Sequence, residues 1–145
     1  MEDPAKRLRV TAESLRVLAG WAGPLAAGIP VGRWEGGEAD AAGVISMPWF
    51  ERSDELARFV SDMASAGLVR PVDWMAWAGT PEGRRLIGDP AAIAEAGPED
   101  LVWLLTTIVR GERFSDGQVA GAYERGTLLA LARRAQALLL RPPDA

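Results

Sequence analysis

The chain has 145 residues, 48% of them apolar and 25% charged, and a net charge of −4, the proportions of one globular domain rather than of a disordered tail. No apolar run approaches the ~18 residues that a membrane span needs. Cysteine and histidine are both absent, which excludes disulfides, thiolate or imidazole zinc sites, thiol nucleophiles and every acid/base scheme built on imidazole. Acid/base work is thereby left to Asp, Glu, Tyr123 and Lys6, the only lysine, and an all-carboxylate magnesium site stays open.

The first helix is predicted from Pro4 to Ala19, with Leu8, Thr11, Leu15 and Leu18 at helical spacing, and Gly20 and Gly23-Pro24 loosen or end it. The N-terminus mixes charges into its apolar positions, unlike a signal peptide, so the cytoplasm is the expected compartment. Two short pieces, Val31 to Glu35 and Val44 to Met47, flank a Gly- and acid-rich tip and read as a β-hairpin, with an irregular arm over residues 28–52 as the competing reading. Ser53-Asp54-Glu55 opens a helix that carries Leu56, Phe59, Val60 and Met63 on one face and ends at Gly67. Short helical pieces follow over Val72 to Ala78, Thr80 to Ile87 and Asp89 to Ala96, the last two with proline in the first turn.

Gly97-Pro98 starts a longer helix to Arg110, in which Leu101, Leu104, Leu105, Ile108 and Val109 lie within about 80° of one another on a helical wheel. Burying each of these is worth about 1.5–3 kcal/mol, while ordering the backbone costs about 1–2 kcal/mol per residue. Such a helix needs neighbours, which places it at the centre of a bundle. Ser115-x-x-Gln118 reads as a capping box for the next helix, and a final helix presents Leu128, Leu131, Ala132, Ala135, Leu138 and Leu139 before Pro142-Pro143. The predicted fold is all-α: one domain of about five to seven helices, with a small β-hairpin near residues 31–47.

Three constellations stand out as candidate sites. In RGERFSDGQ, residues 110–118, Arg113, the Ser115 hydroxyl and the free N–H groups of a helix start suit a phosphate or carboxylate, with Gly117 allowing close approach. The structural alternative has Arg110 serving the end of its own helix, Arg113 paired with Asp73 or Asp116, and Phe114 plugging the core; Asp116 itself argues against an anion there. In PVDWMAW, Trp74 and Trp77 share an edge of a helical turn and either close a core or line a pocket. Asp73, a carboxylate between large apolar rings, is the residue there most suited to function. Trp103 faces away from the leucine stripe, so another part of the chain, such as the 28–50 arm, or a partner must cover it. The acidic pairs Asp54-Glu55 and Glu99-Asp100 read as helix caps, and no phosphate-loop, dinucleotide or nucleophile-elbow motif occurs.

The runs MPWFERSDELARFVSDMASAGLVRPVDWMAW and LLTTIVRGERFSDGQVAGAYERGTLLALARRAQAL resemble an uncharacterised bacterial family catalogued as domain of unknown function 6508, over about residues 44–139. The resemblance implies that Asp73, Trp74, Trp77, Thr106, Arg110, Arg113, Phe114, Asp116 and Gly117 occupy family motif positions, and it brings no activity with it. Where the family pattern runs E-G-H, this chain has Asp116-Gly117-Gln118, so a histidine base acting there in relatives is not usable here.

These readings favour a non-catalytic binding or interaction module without cofactor or metal. Its surface lies where the 71–77 bend meets the 110–118 bend, with Arg110 and Arg113 contacting an acidic group of a protein partner or small anionic ligand. The alternative is an enzyme acting on a phosphorylated or nucleotide-like molecule, with Asp73 or Asp116 as base or magnesium ligand. A net charge of only +2 over residues 101–145 argues against nucleic acid, and a homodimer through Trp103 is a third arrangement.

Overall fold

Thr11 starts the first helix by accepting the Ser14 N–H on its hydroxyl at 3.1 Å, so α1 runs Ala12–Ala19 rather than from Pro4. The computed structural model describes residues 8–141, and the Pro4 start and the Pro142-Pro143 stop lie outside them. Residues 9–11 are outside any helix and Thr11 itself is extended, because a Thr with a free hydroxyl is a better helix start than the mixed stretch before it. Gly20 ends α1, but the Gly23-Pro24 predicted to finish the helix instead sits inside a second one, α2, Ala22–Ala27. Proline is tolerated there because first-turn N–H groups have no helical partner.

The hairpin exists, with its second strand displaced from the predicted 44–47. Strand β1, Gly32–Glu35, pairs antiparallel with β2, Trp49–Arg52, placing Trp34 opposite Phe50 and Glu35 opposite Trp49. The predicted strand 44–47 contributes one isolated bridge, Ala39 to Ile45. It is diverted because Asp40 Oδ1 accepts the N–H groups of Ala42 and Val44 at 2.8 and 2.9 Å, closing a tight turn that leaves the main pairing to the aromatic residues further on.

Six more α-helices follow: α3 Asp54–Ser65, α4 Trp74–Ala78, α5 Pro81–Gly88, then a 3-10 helix Pro90–Glu95, α6 Pro98–Gly111, α7 Gln118–Glu124 and α8 Thr127–Leu139. The described residues thus hold eight α-helices, one more than the upper expectation, and α2, beyond the Ala19 end of the first predicted helix, is the one with no counterpart in the sequence reading. The Ser53 hydroxyl caps α3 through the Leu56 N–H at 3.0 Å. Left-handed Gly67 closes the same helix, with the Leu68 N–H returning to the Met63 carbonyl.

One apolar cluster joins these elements. Leu101, Leu104 and Leu105 of α6 share it with Leu128 and Leu131 of α8, Phe59 and Met63 of α3 and Leu18 of α1, so the stripe of α6 is buried as its spacing requires. Asp100, in the first turn of α6, accepts the Gly97 N–H; burial pushes its carboxyl above the usual range, against the pull of that hydrogen bond. Distant segments are stitched by polar contacts: the Trp21 indole N–H donates to Asp62 at 2.9 Å, and the Ile29 N–H to the Tyr123 hydroxyl at 2.9 Å. No helix among the described residues is long and apolar enough to cross a membrane.

One buried polar atom is unmatched. Thr127, the first residue of α8, is 1% exposed, and its hydroxyl has no partner among the described residues. Thr127→Val is therefore expected to raise stability by about 1 kcal/mol, because it removes an unpaired buried hydroxyl and keeps the branched shape. For a chain of this size that is a melting temperature higher by roughly 2–4 °C. A lower melting temperature would reveal a partner for the hydroxyl.

Candidate functional site

The two bends do come together. Trp74 tilts onto Phe114 with ring centroids 6.0 Å apart, joining the 71–77 turn to the 110–118 turn. The backbone N–H of Arg70 donates to the Thr106 hydroxyl at 3.1 Å, and its guanidinium donates to the carbonyls of Gly67 and Arg9. These bonds hold the segment before α4 against the middle of α6. Thr106 is fully buried and its hydroxyl is used by the Arg70 N–H, so its role here is packing.

Trp77 lies face to face with Trp103, ring centroids 6.0 Å apart and planes 9° from parallel. The cover for Trp103 is thus α4, not the 28–50 arm, which removes the motive for a dimer through that ring. Asp73 is exposed and caps α4 by accepting the Ala76 N–H at 3.1 Å. It is not enclosed between rings, as acid/base work would need.

The RGERFSDGQ turn departs furthest from its reading. Helix α7 starts at Gly117, left-handed at φ +88°, and no side chain of its cap residue accepts a bond; the Ser115 capping box does not form, and Ser115 is exposed. The two N–H groups at the helix start, Gly117 and Val119, donate instead to the two carboxylate oxygens of Glu112, the second at 3.0 Å. A carboxylate of the chain thus occupies the place proposed for a ligand anion. It prevails because one rigid group satisfies two donors at once and carries the charge that a helix N-terminus favours.

Phe114, expected to plug the core, is 71% exposed. Asp116 takes the Phe50 N–H at 3.2 Å, and a side chain at Gly117 would meet the Trp34 ring at 3.4 Å. The turn is therefore where the hairpin docks, and the close approach that Gly117 permits is used by Trp34, which also packs edge-on to Phe50 at 5.4 Å. Neither predicted ion pair of Arg113, with Asp73 or with Asp116, is present; the salt bridges among the described residues join Arg33 to Glu35 and Arg85 to Glu82.

Arg110 and Arg113 instead share a depression of about 270 Å³ with Arg52, Val60, Val109 and Glu112. It lies between β2, α3 and the end of α6, and none of Trp74, Trp77, Trp103 or Phe114 lines it. The predicted surface is therefore two adjoining features, an arginine hollow and an aromatic flank, rather than one pocket. Arg52 went unremarked in the sequence because nothing local separates it from any strand-end arginine; only the docking of the hairpin brings it to Arg110 and Arg113.

Other hollows lie elsewhere among the described residues, one of about 340 Å³ on the hairpin between Trp34, Glu38, Ser46 and Trp49. One of about 590 Å³ between α1 and α3 is lined by Thr11, Ser14 and Asp62, whose polar atoms already serve Ser14, Ala66 and Trp21. One of about 440 Å³ between the 3-10 helix and α8 is lined mainly by alanines, with Arg133 and Arg134 at its side. No group of three or more acidic side chains among the described residues converges as a metal site would require.

Residues 10–140 match the profile described as a family of unknown function, DUF6508. The chain belongs to that family. The match begins well before residue 44, so α1, α2 and the hairpin are part of the DUF6508 unit, as the packing of α1 on α8 and of the hairpin on the 110–118 turn requires. No curated protein and no solved structure matches the chain.

Proposed function

We propose that this DUF6508 protein is a non-catalytic binding module that holds an acidic group of a protein partner or small anion on Arg52, Arg110 and Arg113. Trp74 and Phe114 form the apolar flank beside that contact. The observation that carries this reading is the state of the charges. Three arginines line one depression without a salt bridge among the described residues, and the carboxylate beside them, Glu112, is committed to two backbone N–H groups. Unpaired arginines grouped in a concave surface suit carboxylate or phosphate recognition through their fork of donors.

The catalytic alternative needs Asp73 or Asp116 to face the arginines with a free carboxylate. Asp73 caps α4, Asp116 holds β2, and neither lines the depression, which favours binding over catalysis.

The test is calorimetric titration of the protein with inorganic pyrophosphate as a compact polyanion. Arg113→Ala is expected to weaken binding by about tenfold, the loss of one charge-assisted contact of ~1.5 kcal/mol. Its melting temperature should stay unchanged, because Arg113 is exposed. A wild-type protein that takes up no pyrophosphate at concentrations where it sediments as a single chain sinks the reading, and an unfolded Arg113→Ala variant would make the arginine structural.

A further inference from the structure

The apolar surface that the fold leaves uncovered is concentrated in one region. Of the eight large hydrophobic side chains exposed among the described residues, five belong to the hairpin or its tip: Trp34, Val44, Ile45, Met47 and Trp49. Of the others, Phe114 sits in the turn on which the hairpin docks, and Met75 lies on α4 beside Trp74, which packs on Phe114. Exposed apolar side chains gathered on one projecting element mark an interaction surface.

The charge of that element indicates its partner. From Arg33 to Glu51 the arm carries four carboxylates, Glu35, Glu38, Asp40 and Glu51, against the single Arg33. Glu35 is held by Arg33 and Asp40 is partly used in its turn, while Glu38, next to the distal bridge, is exposed and has no salt bridge among the described residues. At the other end of the same arm lies the depression of Arg52, Arg110 and Arg113. Along the arm, Glu38 and Asp40 lie at the tip, exposed apolar side chains from the tip through the strands, and the arginine depression at the base. Such a surface is complementary to itself under a two-fold axis: with two arms side by side and antiparallel, each tip meets the other copy's base and the apolar stretches cover one another. Two-fold contacts of this self-complementary kind close on themselves and do not propagate into fibres.

We infer that the partner is a second copy of this chain, with Glu38 at the tip of each arm set against the Arg52–Arg110–Arg113 depression of the other. This rests on the binding reading above and names the acidic group that the arginines receive.

The test is sedimentation of the full chain over a rising concentration series, with two charge-reversal variants. The wild type is expected to pass from one to two chain masses. Glu38→Arg and Arg113→Glu should each remain monomeric at concentrations at least tenfold above the wild-type midpoint, because in either homodimer both tip-to-base contacts would join like charges. An equimolar mixture of the two variants should recover the doubled mass. In that pair one contact sets Arg at position 38 against Glu at position 113, and the other is the native one. A wild type that is monomeric throughout, a dimer indifferent to both reversals, or a mixture that stays monomeric overturns the inference. Pyrophosphate titration of the monomeric Glu38→Arg variant judges the binding reading separately, since its arginine depression is intact.

Discussion

Gly83→Ala is expected to be the most damaging glycine-to-alanine substitution in the helices of the protein. A Cβ at Gly83 would stand 2.1 Å from the Trp77 carbonyl oxygen, 2.9 Å from its carbon and 3.0 Å from the Ala78 Cα. All three are backbone atoms, so no rotamer change relieves the clash, and α5 must move away from α4 by more than an ångström. That shift pulls Trp77 off Trp103 and disturbs the cap that Thr80 makes to the Gly83 N–H. Overpacking costs about 1–3 kcal/mol, occasionally more, and loss of an aromatic pair about 0.5–1.5 kcal/mol. A total near 3–4 kcal/mol is a large part of the ~5–15 kcal/mol that holds a domain, and it should lower the melting temperature by roughly 10 °C. Near-ultraviolet circular dichroism should lose the signal of the stacked indoles in step. Gly88→Ala is the control: it sits in the same helix with nothing within 4 Å of the added methyl, and it should leave stability equal or slightly raised. If the two variants melt alike, the close approach of α4 and α5 is not a feature of the folded protein.

The sequence made some of this legible and hid the rest for identifiable reasons. Helices α3 and α6 were readable because each commits a stripe of large residues to one side, and Leu56, Phe59, Met63, Leu101, Leu104 and Leu105 are all buried as their spacing predicts. Misreadings fall where two local signals compete. Gly23-Pro24 looks like a helix end, yet in a first turn it is compatible with a start. Val44 to Met47 has strand-like residues, but the neighbouring Asp40 turn takes the chain elsewhere. Ser115 and Gln118 have capping-box spacing and lose to Glu112, a better acceptor on the preceding helix.

The candidate site was half legible for a similar reason. That the tryptophan and arginine bends would meet follows from burying the leucine face of α6 against its neighbours. Which flank of α6 each would use does not follow, because Arg52 and Trp34 arrive from a hairpin some sixty residues earlier in the chain. A wheel shows that Trp103 faces away from the core; it contains nothing to say that Trp77 is what lies there.

Removing Glu112 should separate the two roles that its position between the arginines and α7 suggests. Helix α7 has only seven residues, too few to persist alone, yet it holds Val119, Ala120 and Ala122 in the core and brings Tyr123 to the Ile29 N–H. In Glu112→Ala the N–H groups of Gly117 and Val119 lose their acceptors. Hydrogen bonds to a charged group are worth about 1.5–3 kcal/mol each. With partial compensation by water at this half-exposed turn, the expected loss is about 2–4 kcal/mol, seen as a lower urea midpoint and faster amide exchange at Val119. Glu112→Gln keeps one oxygen acceptor but turns an NH2 toward the other N–H, so its stability should fall between wild type and Glu112→Ala. Both substitutions also delete the one carboxylate lining the arginine depression, so pyrophosphate affinity should rise while stability falls. If Glu112 chiefly neutralised Arg110 and Arg113, Glu112→Gln would gain affinity with almost no loss of stability, and α7 would need another explanation for its start. Opposite movement of the two measurements in the same variant is the result that ties the turn's architecture to the openness of its arginines.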